Sequence, residues 1–251
     1  MYPLARPGGH GPPLIAFTGI DGCGKSTQVK MMAERLSAEG WDTVRVWTGG
    51  SKTLSRPLVR IGQVLLRAPR RGRDRRFYAR DAARQSLSEE FSDYLGSSHR
   101  LFRHGVMRRA WTDLALFEHA LEIAMAVTPH LRRGRAIVCD RYIYRTVVNL
   151  VVLLDLPAAR LTRLLRHPAL RLIPRPAVYV LLDVPAEVGY ARKQDLPSLE
   201  YVARRVPIYR QIAAMTGMPV IDATQSPQAI HEQMWDIVSR TLAGYAAGSP
   251  L

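Results

Sequence analysis

The segment from Gly19 to Ser26 has the residue types and the spacing that bind nucleotide phosphates. It reads Gly-Ile-Asp-Gly-Cys-Gly-Lys-Ser and fits the pattern Gly-x-x-x-x-Gly-Lys-Ser. Glycines let the backbone curl so that successive N–H groups face phosphate oxygens, while Lys25 reaches the β and γ phosphates and the Ser26 hydroxyl ligates Mg²⁺. The sequence therefore predicts a nucleotide site with Mg²⁺ as its metal. The predicted nucleotide-binding residues are Gly19, Asp21, Gly22, Cys23, Gly24, Lys25, Ser26 and Thr27.

The elements around this loop are those needed to position it. An apolar run at 14–18 precedes it, and an amphipathic stretch to about residue 39 follows it, which predicts strand, loop and helix. Further strand-like runs lie at 43–47, 136–140, 177–183 and 218–222, separated by longer segments of helical period. This alternation predicts an α/β fold, a parallel sheet sandwiched by helices. No Asn-Lys-x-Asp segment that would read guanine follows a late strand, so ATP is favoured over GTP.

Composition narrows the class of protein. The chain has 251 residues, of which 47% are hydrophobic and 23% charged, as in globular proteins. Cys23 and Cys139 lack the spacing of a metal site or a disulfide framework, which favours reduced thiols and a cytoplasmic location. The best apolar run, 147–154, is about half the length that spans a bilayer, so no transmembrane segment is expected. Residues 1–13 and 243–251 are expected to be flexible ends.

A basic insertion separates the second strand from the third. The interval is too long for one crossover and predicts several helices. Residues 52–110 carry fifteen basic and five acidic side chains, out of a net charge of +15 for the chain. This insertion could be a solvated helical excursion, a docking arm for nucleic acid, membrane or another polyanion, or a subdomain that recognises an acceptor. The residues do not decide among these three readings.

Read whole, Gly19 to Thr27 resembles the phosphate loop of thymidylate kinases, and three later motifs follow in that family's order. They are Asp140-Arg141-Tyr142, then Leu182-Asp-Val-Pro185 with Arg192 and Lys193 after it, then Glu200 to Tyr209 before the last strand. The resemblance covers roughly residues 14–48 and 110–242. It implies a five-stranded P-loop kinase domain over residues 14–242, including the insertion, and transfer of the ATP γ-phosphoryl group to a nucleoside monophosphate.

The resemblance also implies roles for single residues. Lys25, Asp140, Arg141 and Arg192 would be catalytic. Asp140 would orient the waters of Mg²⁺, with Ser26 as the other metal residue, or would orient the Arg141 side chain. Arg141 would hold the acceptor phosphate and the transferred group in line.

Two further roles have open alternatives. Asp21 would reach a sugar hydroxyl of the acceptor, the alternative being a side chain that stabilises the loop. Arg192 and Lys193 would close over the phosphates as a lid, the alternative being a solvated helix face. The lid, residues 194–198, is shorter than is usual in the family.

The acceptor-reading elements of thymidylate kinases do not carry over. Where many members have Arg-Glu-Pro-Gly-Gly-Thr, this chain has Val46-Trp-Thr-Gly-Gly-Ser51, without the arginine. The family's base-binding arginine falls near His119, and the small hydroxyl residue expected near the base becomes Arg145. Removing a hydrogen-bond partner from a base-reading site costs about 1–3 kcal/mol each, which argues against strict thymidylate preference. If a helix starts at Arg141, Arg145 lies one turn further and both guanidinium groups could bind a more anionic acceptor; a solvated Arg145 and a core His119 are the alternatives.

The sequence thus predicts an ATP-dependent phosphotransferase that acts on a nucleoside monophosphate or another phosphorylated acceptor. Two alternatives remain, an ATP-binding interaction module and a polymer-end kinase, each with the basic insertion docked on nucleic acid or another polyanion. A homodimer through a long helix at residues 111–131 is also expected, because thymidylate kinases are commonly dimers.

Overall fold

The structure is a computed structural model that describes residues 12–48, 105–193 and 195–246. Five strands and eight α-helices lie in these ranges. The strands are β1 (Leu14–Thr18), β2 (Thr43–Trp47), β3 (Ala136–Asp140), β4 (Val178–Asp183) and β5 (Val220–Asp222). The helices are α1 (Lys25–Ala38), α2 (Gly105–Arg132), α3 (Ile143–Leu153), α4 (Leu161–Leu165), α5 (Ala186–Arg192), α6 (Leu199–Ala203), α7 (Val206–Thr216) and α8 (Pro227–Ala246). Short 3₁₀ helices at Ala158–Arg160 and Pro168–Arg171 flank α4.

All strands pair in parallel, in the order β2-β3-β1-β4-β5. The register sets Asp140 of β3 beside Phe17 of β1 on one side and Trp47 of β2 on the other. The residues that follow these three strands therefore meet at one edge of the sheet. In open α/β sheets ligands bind at this carboxyl edge, where the strand order reverses.

Helices cover both faces of the sheet. The helices α1 and α8 contact each other and the strands, and α2, α3 and α7 form a second group joined through α3. Every residue of β1 and β3 is buried, as expected for central strands covered on two faces. Complete burial of Ile15 and Phe17 contributes about 1.5–3 kcal/mol each. The two edge strands are more exposed, with Trp47 at 62% and Val220 at 52%.

The predicted α/β fold is confirmed, with small differences in the bounds of its elements. Strand β4 begins at Val178 and β5 at Val220, later than the apolar runs indicate. The long helix begins at Gly105, so residues 105–110 of the predicted insertion belong to α2. Residues 52–104 lie outside the described residues, and so do residues 1–11 and 247–251 of the predicted flexible ends 1–13 and 243–251. Helix α8 continues to Ala246, beyond the predicted start of the second end.

In the parts of the chain that the structure covers, no helix combines the length and the apolar character required to cross a membrane. Cys23 and Cys139 are both free and buried.

Candidate active site

The phosphate loop joins β1 to α1 in the conformation that its glycines allow. Gly19, Gly22 and Gly24 have φ angles of 141°, 86° and 92°, in the region where a side chain is strained. The Lys25 ammonium group is buried and donates hydrogen bonds to the carbonyl oxygens of Gly19 (3.1 Å) and Ile20 (2.7 Å). The Lys25 side chain therefore folds back into the phosphate loop and is held there by the loop's own carbonyl groups.

The rest of the loop divides into a buried base and an exposed mouth. Cys23 packs beneath it with its sulfur 3.5 Å from the Lys25 nitrogen, and burial raises the pKa of its thiol. Gly24, Ser26 and Thr27 are exposed at the start of α1. Main-chain N–H groups at such a helix start are directed toward an anion, so this mouth is a suitable phosphate site.

Asp140 at the end of β3 contacts the loop at Ser26. The Ser26 hydroxyl donates to Asp140 Oδ2 at 2.7 Å. Asp140 is only 8% exposed, and its Oδ1 has no hydrogen-bond partner among the residues the structure describes. A buried carboxylate oxygen without a partner is costly unless a cation or water approaches it.

These two side chains fit the ligand chemistry of Mg²⁺. The ion prefers oxygen donors and is usually held by one or two carboxylates with substrate phosphates and waters. In the described ranges, no group of three or more His, Cys, Asp or Glu side chains could hold a metal by itself. A metal at Ser26 and Asp140 would therefore depend on nucleotide phosphates for part of its shell.

Arg141, the next residue, contacts the other side of the loop. Its Nη2 donates to Asp21 Oδ1 at 2.7 Å, and the Lys193 ammonium lies 3.8 Å from the same oxygen. Burial alone would raise the pKa of Asp21, but the charges of Lys25, Arg141 and Lys193 outweigh it and lower that pKa below its usual value. Asp21 is thus an ionised carboxylate that gathers cations around the phosphate loop.

Further groups lie around Asp21. The charge of Arg145 also lowers the pKa of Asp21. Burial lowers the pKa of Arg205, the charge of Arg145 lowers it further, and the charge of Asp21 opposes this shift. Arg205 is buried, stacks 3.5 Å from the centre of the Tyr201 ring and donates to the Tyr201 carbonyl oxygen. Cations thus outnumber acids in this part of the site, which favours an anionic ligand.

The helical argument for Arg145 is wrong in one respect. Helix α3 begins at Ile143, and Arg141 stands before it with a φ of 72°, outside the helix. Arg141 and Arg145 therefore do not lie on consecutive turns of one helix. They are related instead through Asp21, whose pKa the charges of both lower.

Arg192 and Lys193 point to different places. The exposed Arg192 side chain donates to the carbonyl oxygens of Ala223 (2.7 Å) and Thr224 (3.3 Å), just after β5. Lys193 approaches Asp21 and, at 3.7 Å, Asp195. The structure therefore brings Lys193, rather than Arg192, to the Arg141 side of the loop, and the catalytic role of Arg192 stays a prediction.

His119 on α2 is buried with both ring nitrogens engaged. Its Nε2 lies 3.1 Å from the Thr48 carbonyl oxygen, and its Nδ1 lies 2.6 Å from the Thr146 hydroxyl. A carbonyl only accepts, so Nε2 carries the hydrogen and Nδ1 accepts from Thr146. Burial lowers the pKa of His119 to about 4, although the hydrogen bond to Thr48 opposes this. His119 is a neutral link between three elements, and its contact with an acceptor stays a prediction.

This low pKa predicts a pH-dependent stability. An unfolded histidine binds a proton near pH 6.5, whereas His119 in the folded chain does so only near pH 4. Between these values the unfolded state holds the extra proton, so stability should fall as the pH falls, by up to about 1.4 kcal/mol per pH unit. Urea unfolding from pH 7 to pH 4.5 should show a shallower decline for His119→Gln than for the wild type. Equal slopes for the two proteins would contradict the neutral, buried histidine.

A close approach of two glycines joins α5 to the phosphate loop. A Cβ added to Gly22 would lie 2.0 Å from the Gly189 carbonyl oxygen, and one added to Gly189 would lie 3.0 Å from the Asp21 carbonyl oxygen. The first contact leaves no room for a Cβ at Gly22 and the second is tight, so α5 lies directly on the loop and carries Lys193 to Asp21. Gly189 was not among the site residues predicted from sequence, since its partner is far away along the chain. Its place in α5, the helix that follows Leu182-Asp-Val-Pro185, is the only local signal.

Comparison with known proteins places the whole chain beside one group of kinases. No family model matches the chain. It is 27% identical over 245 residues to the thymidylate kinase of Solidesulfovibrio magneticus, covering 91% of this chain and 99% of that protein. It is 24% identical to the probable thymidylate kinase of Pyrococcus abyssi (92% and 97% covered) and 29% identical to the thymidylate kinase of Janthinobacterium sp. (90% and 95% covered). With this parallel sheet and phosphate loop, similarity over about nine-tenths of the chain supports a thymidylate kinase-like P-loop kinase.

Proposed function

We propose that the chain transfers the γ-phosphoryl group of ATP to a phosphorylated small molecule, with nucleoside monophosphates as the expected class and without strict preference for thymidylate. One observation carries the proposal. The consecutive residues Asp140 and Arg141 contact opposite ends of the phosphate loop, Asp140 through the Ser26 hydroxyl and Arg141 through the Asp21 carboxylate. These contacts support a metal-side role for Asp140 and an acceptor-side role for Arg141, on either side of one phosphate site.

On the metal side, the groups suit the binding of Mg·ATP. Lys25 lies within the loop, from which it can bind the β and γ phosphates, and Ser26 with Asp140 would hold Mg²⁺. Bound there, the ion neutralises charge that develops on the transferred phosphoryl group. Transfer of this group needs little covalent help, so positioning and charge neutralisation are the work of these residues.

On the acceptor side, Arg141 is the group placed to bind an incoming phosphate. It is 17% exposed and held toward the loop by Asp21. Lys193 adds a second cation at the same carboxylate. Two cations on one carboxylate leave a net positive charge, which supports binding of an anionic acceptor beside the γ phosphate.

Loss of strict thymidylate preference is supported by the acceptor-side residues. Both ring nitrogens of His119, which falls where thymidylate kinases have a base-binding arginine, are already engaged with Thr48 and Thr146. Arg145 adds positive charge near Asp21. We propose that this charge binds an additional anionic group of the acceptor. Residues 52–104, where an acceptor subdomain or a polyanion arm is expected, lie outside the described ranges.

A panel of acceptors tests this proposal. ADP release from Mg·ATP is measured with the common nucleoside monophosphates, for the wild type and for Arg145→Ala. We expect at least one acceptor to stimulate turnover, and we expect Arg145→Ala to raise the KM for that acceptor about tenfold, the usual scale for one lost ionic contact. The KM for ATP should not change. An unchanged acceptor KM would refute the role of Arg145, and turnover confined to thymidylate would refute the relaxed preference.

A homodimer through α2 also remains a proposal. Phe117, Leu121 and Met125 lie four residues apart on this helix and are 46%, 37% and 63% exposed in the described structure. Side chains spaced by four share one face of a helix, which gives a second copy an apolar stripe to pack against.

A further inference from the structure

The main chain of Arg141 is held in an unusual conformation by its neighbours. Its φ of 72° lies in the left-handed region that residues with a side chain rarely adopt. Its carbonyl oxygen accepts two hydrogen bonds, from the Thr48 hydroxyl at 2.7 Å and from the Cys139 thiol at 3.0 Å.

Thr48 is itself fixed from three directions. It follows β2 and is completely buried. Its N–H donates to the Asp140 carbonyl oxygen at 3.4 Å, and its carbonyl oxygen accepts from His119 Nε2 at 3.1 Å. Thr48 therefore bonds to the peptide carbonyl on each side of the Arg141 Cα, that of Asp140 and that of Arg141, and is anchored to α2.

Two donors on one carbonyl determine the orientation of the peptide group that follows Arg141. This orientation, together with the positive φ, decides the direction in which the Arg141 side chain leaves the backbone. In the structure that direction brings its guanidinium group to Asp21. Rotation of Arg141 to an ordinary φ would separate its carbonyl oxygen from the two donors.

We infer that Thr48 and Cys139 are positioning residues that hold Arg141 in the left-handed conformation from which its guanidinium group reaches the phosphate site. The inference rests on the proposed role of Arg141 in phosphoryl transfer. Thr48 touches no reacting group in this account and acts only through Arg141.

The first experiment compares Thr48→Val with Thr48→Ser. Valine keeps the shape of threonine and loses the hydroxyl donor, whereas serine keeps the donor. We expect Thr48→Val to lower kcat about tenfold with the KM for ATP unchanged, and Thr48→Ser to restore most of the loss. Thr216→Val is the matched control, because the Thr216 hydroxyl is also buried and donates to a main-chain carbonyl, that of Ile212, in α7. It should be destabilised without a comparable change in kcat.

A double-mutant cycle then separates positioning from general destabilisation. If Thr48 acts through Arg141, Thr48→Val should lower kcat in the wild type and have no further effect in Arg141→Ala. Equal effects of Thr48→Val in both backgrounds would overturn the inference. So would failure of serine to restore activity.

A crystal structure tests the positioning of Arg141 independently of the proposed function. If the wild type transfers no phosphoryl group to any acceptor, the proposed function fails, while the crystal structure of Thr48→Val still tests the positioning. We expect Arg141 to leave the positive φ region or to lose its contact with Asp21. Retention of both features in that crystal structure would show that Thr48 is not needed to position Arg141.

Discussion

Replacing Arg141 by alanine is expected to lower kcat about a thousandfold, because arginines that stabilise a transferring phosphoryl group contribute on the order of 10³–10⁵ in rate. Arg141 faces Asp21 and not the Lys25 and Ser26 side of the loop. The affinity for ATP alone should therefore change little. The loss should appear in kcat and in the KM for the acceptor, measured by steady-state kinetics and by ATP titration.

Arg135→Ala is the matched control for this variant. Arg135 makes the same kind of ion pair, with two nitrogens on Asp42 at 2.9 and 3.0 Å, at the amino end of β3. The substitution Arg135→Ala removes the same charge from an exposed ion pair, and such pairs contribute about 0–1 kcal/mol to stability. We expect near wild-type turnover for Arg135→Ala. Similar losses in the two variants would mean that net charge, not the position of Arg141, governs the rate.

Replacing Gly22 by alanine is expected to disrupt the phosphate loop and nucleotide binding together. Gly22 has a φ of 86°, where a side chain costs about 1–2 kcal/mol. Its added Cβ would also lie 2.0 Å from the Gly189 carbonyl oxygen, so the loop and α5 would have to separate. Such overlap in a packed region typically costs a further ~1–3 kcal/mol. Lys193 would move away from Asp21 with α5, and ATP affinity should fall at least about tenfold.

Gly40→Ala isolates the backbone part of this effect. Gly40 has a φ of 90° and nothing within 4 Å of an added Cβ in the described structure. Urea unfolding should show a larger loss of stability for Gly22→Ala than for Gly40→Ala, and only Gly22→Ala should lose ATP affinity. Equal destabilisation of the two variants would mean that the contact with Gly189 is not tight in solution.

The strands and the phosphate loop could be predicted because their signals are local. The runs at 14–18, 43–47 and 136–140 coincide with β1, β2 and β3. The last strand begins two residues later than its apolar run, since Gly217 ends α7 in the left-handed region and Pro219 has no N–H for the sheet. The predicted start of β4 at residue 177 is only one residue early, and the Ala177 N–H already donates to the Leu14 carbonyl oxygen of β1 at 2.8 Å.

Contacts between distant segments could not be predicted in the same way. Composition and periodicity say that Asp140, Arg141 and Asp21 lie near one edge of the sheet, but not which atoms meet. The sequence left open whether Asp140 would orient Arg141 or serve a metal, and its contact with Ser26 supports the metal. The hydrogen bond from Thr48 to Arg141 and the close approach of Gly22 to Gly189 depend on tertiary packing. A threonine or a glycine in the sequence does not indicate which distant residue it will contact.

The most direct test of the central claim is the fate of the γ-phosphoryl group itself. ATP labelled at the γ position is incubated with Mg²⁺, each nucleoside monophosphate and the wild-type chain, with Lys25→Ala in parallel. The proposal predicts label on the acceptor, as a nucleoside diphosphate, and none with Lys25→Ala. Label that stays on ATP or appears only as inorganic phosphate with every acceptor, while ATP still binds and the chain binds polyanions in a salt-sensitive manner, would contradict the kinase account and favour an ATP-binding interaction module.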